Sequence, residues 1–142
     1  MRKIFYLIII SILFVGCENS VENNINSYDY SIDQRIDCFC PQAGVWVKLF
    51  IKSDTIANAI YIADNSPLTY EQIRPYRTIK GLYEEISKKD TSTYYIKVIM
   101  DSVNNYPSYI YFNPKPKIHG DTVFVIKDAQ LSYMTKNYSK LN

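Results

Sequence analysis

Two cysteines one residue apart, Cys38 and Cys40, form the sharpest chemical constellation of the chain outside its first residues. On one regular strand they would share a face with about 6.5 Å between Cα atoms, near the upper limit for a disulfide. An unstrained bridge would therefore need the backbone to turn at Pro41, which follows directly. Three readings are open: a local disulfide in an oxidising compartment, two reduced small core residues, or two soft ligands for Cu(I) or Zn. The metal reading lacks further ligands, because there is no second cysteine pair and His119 is the sole histidine. C-x-C also differs from the C-x-x-C of thioredoxin-like oxidoreductases. His119 falls in a polar loop after Pro114 and Pro116, and catalysis there would need an activated nucleophile and an orienting group. No G-x-S-x-G, H-E-x-x-H, phosphate loop or dinucleotide fingerprint occurs, so the sequence points to no enzyme, no catalytic residue, no metal and no cofactor. Aromatics are the remaining resource, with 14 tyrosines. Tyr28, Tyr30, Tyr94 and Tyr109 fall at alternating positions suited to cross-strand packing. Trp46, Tyr70, Tyr76 and Tyr106 fall in or near predicted loops or outer faces, where a protein or glycan partner would grip them.

The third cysteine, Cys17, stands at the end of a different kind of segment. Arg2 and Lys3 precede an apolar run from Ile4 to Val15, interrupted only by Ser11 and followed by Gly16. About 20 apolar residues are needed to span a bilayer, so this run is too short to span and suits a signal-peptide core. Phe14, Val15, Gly16 and Cys17 resemble the lipobox of bacterial lipoprotein signals, with Phe14 where Leu is usual. The resemblance implies cleavage after Gly16 and acylation of Cys17. Each buried CH₂ of an acyl chain contributes about 0.8 kcal/mol, so two or three chains would hold a small domain at a membrane.

Cleavage would change the charge argument. Taking Arg2 and Lys3 from the 16 basic residues leaves 14 against 14 acidic ones. A neutral chain without a Lys/Arg cluster has no electrostatic footprint for nucleic acid. Roughly 125 remaining residues make one domain, able to bury a single core.

The elements that must position these residues read mostly as strands. Residues 17–27 are polar, Asn-rich and aperiodic, the composition of a tether. From Tyr28, apolar and polar residues alternate up to Cys40, with Gln34 as the one polar residue on the apolar side. Pro41 to Gly44 give a turn, Val45 to Lys52 alternate again, and Ser53 with Asp54 turn into a third strand, Thr55 to Ala63. A surface loop follows. Thr78 is placed to cap a helix on which Ile79, Leu82, Tyr83 and Ile86 share one face, ending near Lys89. Strands are predicted at Tyr94 to Met100, Ser108 to Phe112 and Thr122 to Lys127, and residues 132–142 show no period and read as a flexible tail. The expected fold is α+β: an antiparallel sheet of about six strands, ordered three strands, helix, three strands, with one main helix on a face. The domain would cover residues 28–131 after a lipoprotein signal peptide at 1–16.

Several short motifs in this order carry a likeness. Tyr28-Asp29-Tyr30, Cys38-Phe39-Cys40-Pro41, Thr78-Ile79-Lys80-Gly81-Leu82-Tyr83, Met100-Asp101 and Tyr106-Pro107-Ser108-Tyr109-Ile110 together resemble the bacterial lipoprotein family catalogued as domain of unknown function 6174. The likeness runs from about Tyr28 to Gln130; Asn105 stands where the family usually has Gly, and Met100 where Tyr is common. It brings no activity with it. The expectation is a lipid-anchored cell-envelope protein, tethered through Cys17 on the periplasmic or surface side. Its domain would bind a protein or cell-wall component without catalysis. The alternatives are a periplasmic enzyme inhibitor or stress lipoprotein, and a redox or copper-handling protein working through Cys38 and Cys40.

Overall fold

A computed structural model describes residues 28–119, 122–124 and 130–141. The expected signal peptide, Cys17 and the whole of the expected tether at 17–27 lie outside the described residues.

The alternation after Tyr28 is realised as β1 (Tyr30–Asp37), with Ile32, Gln34 and Ile36 wholly buried on one face. β2 (Trp46–Lys52) pairs antiparallel to it and buries Val47, Leu49 and Ile51 on that same face. Ser53 and Asp54 take φ of 47° and 59° between β2 and β3 (Thr55–Tyr61). Two consecutive positive φ values are what a two-residue hairpin needs to match the strand twist. The chain then leaves the sheet for α1 (Tyr70–Ile73) and α2 (Ile79–Lys88) and returns as β4 (Tyr94–Met100) and β5 (Pro107–Pro114). A small separate hairpin, β6 (Lys117–His119) with β7 (Thr122–Phe124), precedes β8 (Leu131–Lys140).

The main sheet has the order β3-β2-β1-β8-β5-β4, and every adjacent pair is antiparallel. One face carries the core: Ile32, Ile36, Val47, Leu49, Ile51, Ile110, Phe112 and Tyr133 meet Leu82 of α2 and Leu68 and Tyr76 of the connecting segment. Thr78 caps α2 as its spacing predicts, its hydroxyl accepting from Gly81 N–H at 3.0 Å. Ile79 and Ile86 flank Leu82 against the core, and the N–H of Ile79 donates to the Tyr30 hydroxyl at 3.1 Å. The helix is thus held by packing and by a tyrosine from the first strand.

Three expectations are corrected. The fold is a β-rich antiparallel sheet with two short helices, of 4 and 10 residues, and not a balanced α+β arrangement. The helical pattern at Ile79–Lys88 is real, but most of the core surface it covers belongs to strands. The flexible tail expected at 132–142 is overturned by β8, Leu131–Lys140, which lies between β1 and β5 and is a central strand. Its period is hidden because Asn137, at φ 54°, forms a bulge opposite the register shift between Ser31 and Asp33. The extra residue changes the parity, so Tyr133 and Tyr138 both pack against the core although five positions apart. Third, His119 ends β6 and is paired by register with Thr122, where a loop was expected.

Gln34, the polar residue on the apolar side of β1, is the tie between sheet and helices. Its Nε2 donates to the Arg77 carbonyl at 3.0 Å and its Oε1 accepts from the Arg77 N–H at 2.9 Å. Both main-chain groups of the residue before the α2 cap are thereby satisfied inside the protein, which a buried backbone requires.

Burial also sets an alkaline limit. Tyr76 and Tyr133 are each 2 % exposed, and burial pushes both phenols up to about 12. An unfolded tyrosine ionises near about 10. The folded state therefore holds protons that the unfolded chain releases, so stability is full below about pH 10 and declines from there towards about pH 12. Each residue accounts for up to about 2–3 kcal/mol of that decline. Urea midpoints should be flat up to about pH 9.5 and fall above it, and Tyr133→Phe should shallow the fall.

Candidate functional site

The turn after β1 is where the sequence motif and the surface chemistry meet. β1 stops at Asp37, and the backbone bends so that the Cα atoms of Cys38 and Cys40 come to 5.3 Å and their sulfurs bond as a disulfide. That separation lies well inside the usual range for a bridge, where a regular strand would have placed the pair near its upper limit. Pro41 then occupies the second position of a turn closed by Ala43 N–H to the Cys40 carbonyl at 3.1 Å. Gly44, at φ 79°, donates to the Ile36 carbonyl at 2.8 Å and lets the chain re-enter the sheet as β2.

Closing a ring through both neighbours leaves Phe39 no inward path, and it is 88 % exposed at the apex. A shallow depression on one side is lined by Asp37, Cys38, Phe39, Tyr111, Gln130, Leu131 and Ser132. Another involves Phe39 with Pro41 and Ala43, and a third runs from Cys40, Pro41 and Gln42 to Glu71, Gln72 and Arg74 of the α1 region. The nearby charges are internally matched: Arg35 Nη2 lies 2.9 Å from Asp37 Oδ1, and Arg74 Nη1 lies 3.0 Å from Glu71 Oε2. The surface is therefore apolar around Phe39, Pro41 and Ala43 and polar but electrically balanced at its edges, suited to apolar side chains and not to a polyanion.

The bridge contributes little to holding the fold. Chain-entropy reasoning for a ring of only three residues gives about 1.6 kcal/mol, against about 3 for a 15-residue loop. The main-chain bonds of Ala43 and Gly44 also close the loop independently of the sulfurs. A Cys38→Ser/Cys40→Ser double variant should therefore stay folded and lose no more than about 2 kcal/mol in urea unfolding.

The loop sits at one end of the sheet. At the other end of β1, Asp29 donates its N–H to Ile51 O at 2.8 Å, accepts from Leu141 N–H at 3.0 Å, and its Oδ2 accepts from Ser53 N–H at 2.6 Å. The point where the chain joins the sheet and the Phe39 loop are thus separated by the full length of an eight-residue strand, roughly 25 Å at the usual rise.

The aromatic residues expected to form a binding set are not brought together. Tyr76 and Tyr106 are 2 % and 3 % exposed and belong to the core, Tyr106 lying against Tyr138 with ring centroids 5.9 Å apart. Their rings fill the space beneath the helices, where large apolar area is worth most. Trp46 opens β2, half-buried, with Lys136 Nζ 4.0 Å from its ring centroid. Tyr70, 77 % exposed, is the one of the four that stands free, at the start of α1. Tyr28 pairs with Phe50 at 5.2 Å and Tyr30 with Tyr138 at 5.4 Å, as packing residues. Sequence reasoning missed Phe39. The signal was in C-F-C-P itself, because a large apolar residue between two bridged cysteines is forced outward.

Among the described residues no cluster of three or more His, Cys, Asp or Glu could hold a metal ion. Among them, too, no helix is long and apolar enough to cross a membrane.

Compared with known proteins, the chain matches no curated protein and no solved structure. The profile of a family described as a family of unknown function, DUF6174, matches residues 21–130. The chain belongs to that family, in agreement with the resemblance carried by its motifs.

Proposed function

We propose that this member of the family is a lipid-anchored protein of the bacterial cell envelope whose β-sheet domain binds a protein partner through the Phe39 loop. The observation that carries the reading is Phe39 itself, a large apolar side chain almost fully exposed on a turn closed by a disulfide and main-chain hydrogen bonds, beside a depression lined by Cys38, Cys40, Pro41 and Ala43. Exposed aromatics held in one place bind at low entropic cost and are typical anchors of protein interfaces. The address rests on the sequence: the short apolar run and the Gly16-Cys17 site support acylation at Cys17. Taken together, the two give a simple geometry of function. The tether would join the domain at the Asp29 end, and the loop would point away from the membrane, towards partners.

The protein reading is favoured over a cell-wall polyanion because the charges around the loop are already paired within the chain. Cells expressing the protein should incorporate labelled palmitate, and Cys17→Ser should abolish it; label retained in that variant contradicts the anchoring. Phe39→Asp should weaken capture of the crosslinked partner by at least about ten-fold, the loss of one central anchor being worth about 2 kcal/mol or more. Unchanged capture would move the binding surface elsewhere.

A further inference from the structure

We infer that the Cys38–Cys40 disulfide is a thiol–disulfide exchange site, which accepts two electrons from a pair of cysteine thiols in an apolar polypeptide segment. The bond has the features of a reactive bridge and few of a structural one. It spans only two positions in sequence, lies outside β1, and closes a turn that main-chain hydrogen bonds already hold. Opening it would leave the sheet register untouched.

The two sulfurs are placed differently. Both cysteines are half-buried and each lines two of the depressions, but Cys38 alone packs against the hydrophobic core, whereas Cys40 precedes Pro41 on the side away from it. Cys40 is therefore the sulfur offered to an incoming nucleophile. A substrate thiolate attacks Cys40 Sγ; the bond between Cys40 and Cys38 breaks, and Cys38 leaves as a thiolate that takes up a proton. A mixed disulfide now joins substrate and Cys40. The second substrate thiol, as thiolate, attacks the substrate sulfur of that mixed disulfide, and Cys40 leaves and is protonated in turn. The balance is one substrate dithiol oxidised to a disulfide and one protein disulfide reduced to two thiols, with no further reactant. Phe39 and the neighbouring Pro41 and Ala43 supply the recognition, an apolar platform beside the reacting bond for a segment with exposed apolar side chains.

The test uses the full chain in detergent and two reductants: dithiothreitol, and a synthetic peptide carrying two cysteines flanked by leucines. Thiols are counted by acid quench, alkylation and mass spectrometry. Both reductants should open the bridge without denaturant, and the peptide should yield one peptide disulfide for each bridge lost. Phe39→Ser should slow the peptide reaction at least ten-fold and change the dithiothreitol reaction less than two-fold. Cys38→Ser, which leaves Cys40 free, should trap the mixed disulfide with oxidised peptide at least ten-fold more than Cys40→Ser does. A bridge that resists dithiothreitol until the protein is denatured overturns the inference, and so does a peptide that emerges unoxidised. The binding reading would survive either result, since partner capture does not need the bond to open; conversely, capture left unchanged by Phe39→Asp, with exchange intact in the unaltered chain, would refute the binding reading alone.

Discussion

Removing residues 131–142 is expected to unfold the domain completely. β8 pairs with β1 on one side over seven registered residues and with β5 on the other over four, so among the described strands it alone joins the β3-β2-β1 and β5-β4 halves of the sheet. Its loss would uncover Ile32, Ile36, Ile110 and Phe112, all wholly buried, and strip hydrogen-bond partners from two interior strands. Tyr133, Thr135 and Tyr138 would go with it, including the Thr135 hydroxyl that donates to the Pro107 carbonyl. Burying a large apolar side chain is worth about 1.5–3 kcal/mol, and a domain has only about 5–15 kcal/mol in total. Circular dichroism of the truncated chain should show no cooperative transition. β8 also starts just after the stretch matched by the family, which ends at residue 130, so that stretch alone should not fold.

Gln34→Leu is expected to cost about 2–5 kcal/mol, although leucine matches the apolar pattern of β1 better. The substitution leaves the part-buried N–H and C=O of Arg77 facing a wholly buried leucine without their partner, and each unsatisfied group costs about 1–3 kcal/mol. The damage should be local in kind. Arg77 also ties its guanidinium to Glu85 at 3.0 Å and to the Arg74 and Tyr76 carbonyls, so losing its backbone anchor loosens the start of α2. Hydrogen exchange should rise first at Arg77 and through Gly81, and the urea midpoint should fall with little change in slope. Gln34→Glu should be similarly costly, because a carboxylate accepts the Arg77 N–H but cannot donate to its carbonyl.

Much of this architecture is legible in the sequence where side-chain period and burial coincide. The alternation of β1 and β2, the Ser53-Asp54 turn and the Thr78-capped helix fall where their patterns place them. β8 escapes for a physical reason, since a bulge at Asn137 breaks its parity and its buried Ser132 and Thr135 look like surface residues. The same bulge hides how far sheet predominates, because it removes the period from a central strand. At the candidate site the motif residues Cys38 and Cys40 are visible in one line of sequence. Which aromatic is exposed is not, because Tyr76, Tyr106 and Phe39 differ in tertiary packing and not in type. Only the ring formed by the two cysteines marks Phe39 as outward.

The central claim is that the Phe39 end of the domain faces a protein partner while the opposite end faces the tether. Site-specific photo-crosslinking in intact cells tests it directly, with the same photoreactive amino acid placed at position 39 in one strain and at position 53, in the β2–β3 turn, in another. The account expects a discrete protein adduct from position 39 and none from position 53. An adduct from position 53 with none from position 39 would contradict it.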